Sequence, residues 1–529
     1  MRKIIKRYTA LLCLAAMLLL LCGCGGADTS DDYVDGKSAG KNLSQMAAAD
    51  DVFSLNYNSA YSMNPLVATN TNNQLVCSLV YDNMLELTNS YSVEYNIITA
   101  YSSSDGGQTW TFKVEPGRKF HDGSDVSAYD VAYSIQCARG SDRFRDRLSY
   151  VAGCSANDAE TLTVSLSKKN MMFPMLLTVP VIKSGSYGES YPIGSGPYTY
   201  ASDHLSLVAS EHYPNYRALP LKTVYLKEYT GIDDTISAFQ DSYIDAVLND
   251  PTATTNLGYG SANEIRAYNS TNLHYIGLNV QTGIFTYDAM RFAMNYAFDR
   301  EYLVEQMGSY GMETPFVVTP AAPWYSKTAA KEFDYDLNTV KTVFANLGLS
   351  DYDGDGFLEM RNGTTLVNTD IDFIVCNASS IKVNMARHFA SDMASIGINV
   401  TVEELPWSDY KARVEAGNYD MYYAEVRMNP DCDPSKLLVT GSSLNYALVS
   451  DQRVEEAIAL FLQSDEDGRA DAAVNMCNVI ATTAYIVPLC YERHQLVSHR
   501  GVIEGIKACE NNPFYDMKSW TVNLKTKEN

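Results

Sequence analysis

The clearest structural pattern in the chain is the stretch Asp105-Gly-Gly-Gln-Thr-Trp-Thr-Phe-Lys-Val-Glu-Pro-Gly-Arg-Lys-Phe-His-Asp-Gly-Ser-Asp-Val-Ser-Ala-Tyr-Asp-Val-Ala-Tyr-Ser134. Apolar and polar side chains alternate over Thr109–Val114, which predicts a half-buried strand. The Pro-Gly and Asp-Gly pairs that follow are typical of turns. Ser127 and Asp130 then form the pattern of an N-cap box, which predicts a helix from Ala128 to Ala138. The stretch therefore predicts a strand, two turns and a helix in succession.

Short strands and helices continue to alternate along the rest of the chain. Apolar residues recur at helical spacing at Met290, Ala293, Met294 and Ala297. This pattern predicts an amphipathic helix, with Arg291 and Arg300 on other faces. Strands that alternate with helices are typical of an α/β protein. The chain has 529 residues, more than one core usually supports, so two or three domains are expected.

Composition limits the classes of function. Apolar residues make up 46% of the chain and charged residues 19%, which is typical of a well-packed globular protein. The formal net charge is −23. Because so acidic a surface repels polyanions, we exclude nucleic acid as a partner.

The first 24 residues predict export from the cytoplasm. A basic head precedes an apolar run, Ala10–Leu21, which is too short for a permanent transmembrane helix. The run ends in Leu21-Cys-Gly-Cys24, which resembles the bacterial lipobox. Residues 1–23 are thus expected to be a signal peptide, and Cys24 to carry the lipid that anchors the mature chain to the outer face of a membrane. An ordinary signal peptide that contains cysteines is the alternative. Residues 24–50 are poor in apolar side chains beyond the cysteine, as in a flexible tether.

The remaining cysteines give no sign of a metal cluster. They are Cys77, Cys137, Cys154, Cys376, Cys432, Cys477, Cys490 and Cys509. No pair has Cys-x-x-Cys spacing and no histidine stands at zinc spacing, so we expect no cofactor. Most lie in apolar runs, so buried free thiols are at least as plausible as disulfides.

Short motifs, spread over nearly the whole mature chain, resemble those of family 5 extracellular solute-binding proteins, the receptors of peptide- and nickel-type ABC importers. They are the Asp105–Ser134 stretch, Asn64-Pro65, Ile193-Gly-Ser-Gly-Pro-Tyr198, Gly277-Leu-Asn279 followed by Arg291-x-Ala-x-Asn-Tyr-Ala-x-Asp-Arg300, Asn418-Tyr-Asp-Met421 and Pro488-Leu489. The resemblance implies an α/β, two-lobed periplasmic-binding-protein-like fold that closes on ligand like a hinge.

The resemblance also implies a domain organisation. Lobe one is expected at residues 51–92, 192–283 and 496–529, and lobe two at 284–495. An extra subdomain is expected to be inserted in lobe one at 93–191. Such receptors are expected to act as monomers, to deliver solute to a membrane permease and to catalyse nothing.

The ligand site that the resemblance implies lies between Trp407 and Pro434. The spacing from Trp407 to Asp420 resembles that of peptide receptors in which this tryptophan lines the pocket; a buried structural tryptophan is the alternative. Peptide-binding members place an aspartate for the ligand's α-amino group beyond Asp420. Here that position falls on Asn429 or Pro430, and neither is acidic.

Three charged residues of this loop are further candidates. Asp431 takes the amine-binding role if the loop shifts. Arg427 inside the pocket would instead pair with a ligand carboxylate. The alternative is that Arg427 is a surface cation, and that Asp431 and Asp433 only shape a turn.

Three uncharged residues complete the candidate ligand site. Tyr423 has a ring with one polar atom, which suits stacking and hydrogen bonding to varied solutes. Thr69 and Asn70 lie where the family lets a peptide backbone add to an exposed strand of lobe one.

A calcium-like motif occurs at Asp351-Tyr-Asp-Gly-Asp-Gly-Phe-Leu-Glu359. Asp351, Asp353 and Asp355 stand at positions 1, 3 and 5 of an EF-hand loop. Position 12 is Asn362 instead of the bidentate glutamate. A hairpin turn is therefore the alternative to a weak calcium site.

The predicted function is a lipid-anchored extracytoplasmic receptor that captures an oligopeptide or dipeptide and delivers it to an ABC import permease. A non-peptide solute, such as a carboxylate, a metal chelate or an oligosaccharide, is the alternative on the same fold. A secreted hydrolase and a sensor or adhesin lipoprotein are alternatives of other classes. The sequence contains no G-x-S-x-G, H-E-x-x-H or P-loop motif, which argues against the hydrolase.

Overall fold

A computed structural model describes residues 51–253 and 263–524. The predicted signal peptide, Cys24 and the tether lie outside these residues. Among the described residues, no helix combines the length and the apolar character that a membrane span requires. The eight cysteines that follow Cys24 are all free thiols.

The secondary structure of the described residues is mixed. The strands are β1 Ser54–Tyr57, β2 Leu85–Leu87, β3 Val93–Tyr95, β4 Ile98–Ser102, β5 Thr109–Val114, β6 Val151–Ala156, β7 Thr161–Leu166, β8 Tyr198–Tyr200, β9 Ser206–Ala209, β10 Thr223–Glu228, β11 Ala246–Asn249, β12 Asn263–Leu278, β13 Gly311–Glu313, β14 Met360–Asn362, β15 Thr365–Val367, β16 Ile371–Cys376, β17 Val400–Leu405, β18 Met421–Arg427, β19 Ile486–His499, β20 Ile503–Glu504 and β21 Thr521–Val522. The α-helices are α1 Thr71–Val80, α2 Ala128–Arg139, α3 Ile232–Gln240, α4 Asp288–Ala297, α5 Arg300–Gln306, α6 Lys327–Ala330, α7 Leu337–Asn346, α8 Ser380–Ser395, α9 Trp407–Glu415, α10 Ser435–Leu438, α11 Gln452–Gln463 and α12 Arg469–Thr483.

One large sheet organises the chain. Its strands follow the order β17-β16-β18-β12-β19-β11-β1-β10-β9-β8, and β13 also pairs with β19. The long strands β12 and β19 are antiparallel, from Asn263 opposite His499 to Gly277 opposite Ile486. Their register shifts between Asn269 and Leu273. These two strands therefore connect the part of the sheet around β1 with the part around β16.

Parallel pairing brings three strand ends to one edge of this sheet. β1 lies between β10 and β11 and is parallel to both. Asn58, Tyr229 and Asp250 directly follow the three strands. In open α/β sheets, ligands bind in the crevice beyond the carboxyl ends of parallel strands. A ligand site is therefore expected at this edge of the sheet.

Three large hydrophobic cores pack against the sheets. The first includes Leu55 and Phe112 and also takes in the separate four-stranded sheet β4-β5-β7-β6. The second includes Phe461 of α11 and Met476 of α12. The third includes Phe389 of α8. Core residues come from strands and helices throughout the chain, which accounts for the alternating pattern of the sequence.

The Asp105–Ser134 stretch folds as predicted. β5 covers Thr109–Val114, and α2 begins at Ala128 after the N-cap Ser127. The capping box is formed, because the backbone N–H of Ser127 donates to the Asp130 carboxylate at 3.0 Å. Two local signals, period-two alternation and a cap, were sufficient here.

The predicted amphipathic helix is also present, as α4, but Arg291 in this helix and Arg300 at the start of α5 are buried instead of exposed. Arg291 is only 4% exposed and Arg300 only 5%, although the apolar pattern placed both away from the buried face. Their guanidinium groups donate to the backbone carbonyls of Thr483 at 2.8 Å and Pro488 at 3.0 Å. Burial of the two guanidinium groups is tolerated because backbone carbonyl oxygens replace water as their hydrogen-bond acceptors.

We predict that Gly277→Ala destabilises the fold by about 1–3 kcal/mol. A Cβ atom at Gly277 in β12 would lie 2.2 Å from the ring of Tyr422, which is 2% exposed and cannot move into solvent. Urea unfolding measures the loss of stability. Gly188→Ala is the matched control, since a Cβ there meets nothing within 4 Å. Equal stability of the two variants would contradict the prediction.

Candidate functional site

A cavity of about 540 Å³ opens beyond the carboxyl ends of β1, β10 and β11. The residues that line it are Asn58, Thr69, Asn70, Thr71, Asn72, Gln74, Tyr229, Thr230, Gly231, Ile232, Thr235, Leu248, Asn249, Asp250, Tyr268, Asn272, Arg427, His494 and Glu510. They come from the three strand ends, the N-terminal ends of α1 and α3, the crossing strands β12 and β19, the end of β18 and the loop after β20. The volume is within the range of small-molecule sites, roughly 300–1,000 Å³.

Carboxamide side chains dominate the polar lining. They belong to Asn58, Asn70, Asn72, Gln74, Asn249 and Asn272. Several are held in place: Gln74 donates to the carbonyl of Ala68 at 2.9 Å, and Asn249 donates to the Gln495 carbonyl at 2.8 Å. Because each carboxamide offers both donors and an acceptor, this wall can pair with a ligand that presents both.

The N-terminal end of α1 favours anions in the cavity. Asn70 is its N-cap and accepts a hydrogen bond from the backbone N–H of Asn73 at 3.2 Å. The first turn of α1 carries no acidic residue, so the partial positive charge of the helix end is not offset there. In contrast, α3 carries Asp233 and Asp234 in its first turn.

An ion pair also lines the cavity. Arg427 Nη2 lies 3.2 Å from Glu510 Oε1, with the arginine side chain 51% and the glutamate side chain 11% exposed. Glu510 also accepts from the Thr271 hydroxyl at 3.0 Å. Burial and the charge of Arg427 lower the pKa of nearby Arg147 to about 9. Positive and negative groups are thus both available to a ligand with charged ends.

A buried charged network lies where the crossing strands meet the cavity. Glu492 accepts hydrogen bonds from His274 at 2.5 Å and from Asn272 at 2.9 Å, and His494 lies 3.3 Å away. Burial would raise the pKa of Glu492, but the adjacent His274 lowers it. Burial would lower the pKa of His494, but Glu492 and Asp250 raise it. The hydrogen bonds of this network therefore favour the ionised form of the Glu492 carboxyl group.

Of the residues predicted from the sequence, Thr69, Asn70 and Arg427 line the cavity. Trp407 does not line it: it is the first residue of α9, its side chain is 63% exposed, and it stacks on Tyr410 with ring centroids 5.8 Å apart.

The other predicted ligand residues lie outside the cavity lining. Tyr423 is buried, and its hydroxyl is 3.0 Å from His274 Nδ1. The carbonyl of Asn429 accepts from the backbone N–H of Cys432 at 2.9 Å. Asp431 is 1% exposed and accepts from Asn170 at 2.8 Å. The remaining one, Asp433, is buried and accepts from the backbone N–H of the first residue of α10 at 2.9 Å.

The acidic loop of the calcium-like motif is exposed. The Asp351 carboxylate accepts from the backbone N–H groups of Gly354 at 2.6 Å and Gly356 at 3.1 Å. Asp353 and Asp355 accept from backbone N–H groups two residues further on. The three carboxylates approach one another closely enough to share an ion, so the calcium prediction stays open.

Sequence reasoning missed most of the cavity lining. Asn58, Tyr229 and Asp250 reach the cavity because they directly follow three neighbouring parallel strands. Only Asp250 has a local signal, the apolar run Ala246-Val-Leu248 shortly before it; the residues before Asn58 and Tyr229 are mixed in polarity. His494 carries no local signal, because the pairing of β19 with β11 and β12 brings it to the cavity. Glu510 lies in the loop after β20 and carries no local signal either.

A polar cavity at the carboxyl ends of parallel strands, beside two long crossing strands, defines a binding protein for a small solute. The sequence model of bacterial extracellular solute-binding proteins, family 5, matches residues 92–446. The chain therefore belongs to this family.

The sequence identity between this chain and individual relatives is low. The oligopeptide-binding protein AppA of Bacillus subtilis strain 168 is 23% identical over 449 residues, with 78% of this chain and 80% of the relative covered. The solved structure of AppA in complex with a nonapeptide superposes with a TM-score of 0.62 at 18% identity, covering 89% of this chain and 99% of the AppA chain. HbpA2 from Haemophilus parasuis gives a TM-score of 0.72 at 16% identity, covering 89% and 100%. The glutathione-binding protein GsiB of Salmonella typhi is 26% identical over 388 residues, with 70% and 72% covered.

These comparisons confirm two predictions. The fold is α/β and of the two-lobed solute-binding type. The chain is a member of family 5, as the resemblance implied, and proteins of this family act outside the cytoplasm. The relatives are solute-binding proteins and not enzymes.

Proposed function

We propose that the chain captures a short peptide in the cavity beyond β1, β10 and β11 and delivers it to an ABC import permease, without catalysis. The observation that supports a peptide is the carboxamide lining, because a peptide backbone alternates N–H donors and C=O acceptors. Two tyrosines, Tyr229 and Tyr268, add apolar ring surface for side chains. A carboxylate, a metal chelate or an oligosaccharide is the second candidate.

We assign the two charged ends of the peptide to opposite groups. The carboxylate end faces the N-terminal end of α1 and Arg427, which offer positive charge. The ammonium end faces Asp250 or Glu510. Both kinds of group line one cavity, which suits a zwitterionic ligand.

The proposal extends to the organisation of the chain. Residues 1–23 act as the signal peptide, and Cys24 carries the lipid at the end of a tether that reaches residue 50. Lobe one comprises residues 51–92, 192–283 and 496–529, with the subdomain 93–191 inserted. Lobe two comprises 284–495, and the receptor works as a monomer that closes on its solute. Metabolic labelling with a radioactive fatty acid tests the anchor: Cys24→Ser is expected to abolish the label.

The direct test of the proposed ligand is mass spectrometry of what the purified protein releases on denaturation. A set of short peptides is the expected result. A single non-peptide acid, chelate or sugar would contradict the peptide and support the second candidate. If the protein carries nothing, thermal-shift screening of a peptide library decides, because a bound ligand raises the unfolding temperature.

We predict that Arg427→Ala weakens binding of a peptide with a free C-terminal carboxylate about 10- to 100-fold, the range expected for a lost charge-assisted hydrogen bond. The arginine is half exposed, so its pair with Glu510 adds little to stability. Calorimetric titration with the same peptide as acid and as C-terminal amide measures the effect. Wild type is expected to prefer the acid, and Arg427→Ala to bind both alike.

Arg427→Lys is the matched control, because it keeps the charge and loses only the planar fork of donors. It is expected to retain part of the preference for the acid. Equal weakening of acid and amide in Arg427→Ala would contradict the proposed carboxylate contact.

A further inference from the structure

Three side chains at one wall of the cavity bring metal-ligating atoms together. Asp250, Glu492 and His494 each offer one atom within 4.8 Å of the others. His494 Nε2 lies 3.3 Å from Glu492 Oε2 and 3.6 Å from Asp250 Oδ2. Metal–ligand bonds of about 2.0–2.1 Å put neighbouring donors of a tetrahedral site roughly 3.3 Å apart. The two distances from His494 are therefore near the spacing of neighbouring donors in such a site, and the Asp250 and Glu492 oxygens lie within 4.8 Å of each other.

Strand pairing explains why residues so distant in sequence meet. Glu492 and His494 are two apart on β19, so their side chains point to the same face. β11 pairs with β19, with Asn249 opposite Gln495, and Asp250 directly follows β11. This places Asp250 beside His494. The juxtaposition belongs to the regular structure of the large sheet.

We propose that Asp250, Glu492 and His494 bind a divalent transition-metal ion of the zinc, cobalt or nickel class. One imidazole nitrogen with two carboxylate oxygens is a donor set that suits such ions, and two carboxylates offset the double positive charge. Three protein ligands leave at least one coordination position open, as in open metal sites. Asp250 and His494 line the cavity, so the open position faces the solute.

The surroundings of Glu492 hold its carboxylate in the orientation that the site needs. Glu492 is 1% exposed. Oε1 accepts from His274 Nε2 at 2.5 Å and also from the Thr252 hydroxyl. Oε2 accepts from Asn272 at 2.9 Å and is the oxygen turned towards His494. Hydrogen bonds of this kind to a ligating carboxylate orient it and tune the metal.

A neighbouring group, His274 with Glu425 and Glu492, meets the same distance limit but fits less well. The contact between His274 and Glu492 is 2.5 Å, which is a hydrogen bond and shorter than the separation of two ligands on one ion. Glu425 is 46% exposed and pairs with Lys382 at 2.8 Å. We therefore assign His274 as a positioning residue for Glu492 and not as a ligand.

The site also narrows the class of solute, and this step rests on the proposed function. Once its ammonium group has released a proton to water, a peptide's terminal amine and its neighbouring carbonyl oxygen form a bidentate N,O pair, which replaces the ammonium–Asp250 contact when the metal is bound. Such a pair fits the open positions of an ion that already has three protein ligands. Solutes with an amine beside a carbonyl or carboxylate are the class that the metal would select.

Cobalt titration tests the metal site without any solute. The chain is purified without a polyhistidine tag, stripped with a chelator, dialysed and titrated with Co²⁺ while visible d–d absorption is recorded. The expected result is a band that saturates at one equivalent and is displaced by Zn²⁺. Asp250→Asn and His494→Gln are each expected to lower the affinity by about 100-fold or more.

Two control variants are expected to bind Co²⁺ as wild type does. His212→Gln removes an exposed histidine outside the cluster, and Glu425→Gln removes a carboxylate of the neighbouring group. Thermal unfolding without metal shows whether each variant is folded. If His494→Gln unfolds, Asp250→Asn decides, because Asp250 is partly exposed.

The absence of an absorption band, or undiminished affinity in the folded Asp250 and His494 variants, would overturn the metal site. If Glu425→Gln lowered the affinity for Co²⁺ as much as Asp250→Asn and His494→Gln do, the assignment of these residues as the ligands would be overturned. Peptide binding that is unchanged by removal of the metal would overturn only the coordination of the solute. Metal binding with no peptide bound would support the site even if the proposed peptide ligand were wrong.

Discussion

Thr71→Trp is expected to weaken solute binding roughly 100-fold and to leave the fold intact. Thr71 is the exposed first residue of α1 and lines the cavity. The cap of this helix is made by Asn70, so the substitution leaves the capping hydrogen bond in place. An indole at this position occupies part of the 540 Å³ that a ligand needs. Overfilling a packed space costs up to about 3 kcal/mol, which corresponds to a loss of roughly 100-fold in affinity.

Mass spectrometry of the solute that co-purifies with each variant measures this effect. Wild type and the conservative control Thr71→Ser are expected to carry the same solute, and Thr71→Trp much less of it. Circular dichroism and thermal unfolding check that the tryptophan variant is folded. A folded Thr71→Trp protein that carries as much solute as wild type would place the ligand outside this cavity, and would contradict the proposed site whatever the solute is.

Local signals made part of the fold predictable from the sequence. β5 and α2 follow from alternation and a capping box, each contained within a few residues. The burial of Arg291 in α4 did not follow, because helical periodicity ranks side chains by polarity alone. Periodicity carries no information about the backbone carbonyls of Phe285 and Thr483, which accept hydrogen bonds from the Arg291 guanidinium group.

The cavity was predicted only where the resemblance supplied a position. Thr69, Asn70 and Arg427 line it, while the predicted ligand residues from Asn429 to Asp433 lie outside the lining. The remaining lining depends on pairings between distant strands: Asn249 and Gln495 are 246 positions apart. No local pattern encodes such a register. The Glu492-x-His494 pair on β19 therefore does not predict a metal site by itself, because the third ligand, Asp250, is brought to it by the pairing of β11 with β19.

A large pH effect on stability is expected from Asp431. Its carboxyl group is 1% exposed, and burial together with the neighbouring Asp433 raises its pKa from 3.8 to about 7. Between these two values the folded chain binds a proton that the unfolded chain releases, so the free energy of unfolding falls as pH rises. The contribution is fully present below about pH 4 and is lost by about pH 7. Three pKa units correspond to about 4 kcal/mol.

Asp431→Asn is expected to remove this pH dependence, because the amide cannot ionise beside Asp433. Urea unfolding at about pH 5 and about pH 8 measures the free energy of unfolding of both proteins. Relative to wild type, the free energy of unfolding of Asp431→Asn is expected to rise by about 3 kcal/mol between these two pH values. Asp142→Asn, whose side chain is 87% exposed, is the matched control for the loss of one carboxylate. A constant difference between Asp431→Asn and wild type across the two pH values would contradict the prediction.

The same carboxyl group bears on how two segments of the chain hold together. Asp431 accepts from the Asn170 side chain, and next to this contact the backbone N–H of Met171 donates to the carbonyl of Leu462 at 2.7 Å. These bonds join the segment after β7 to the loop after β18 and the end of α11. A charge on Asp431 beside Asp433 therefore disfavours the buried geometry of this contact. We expect small-angle scattering of the solute-free protein to report a more expanded chain at about pH 8 than at about pH 5, and Asp431→Asn to remove that difference.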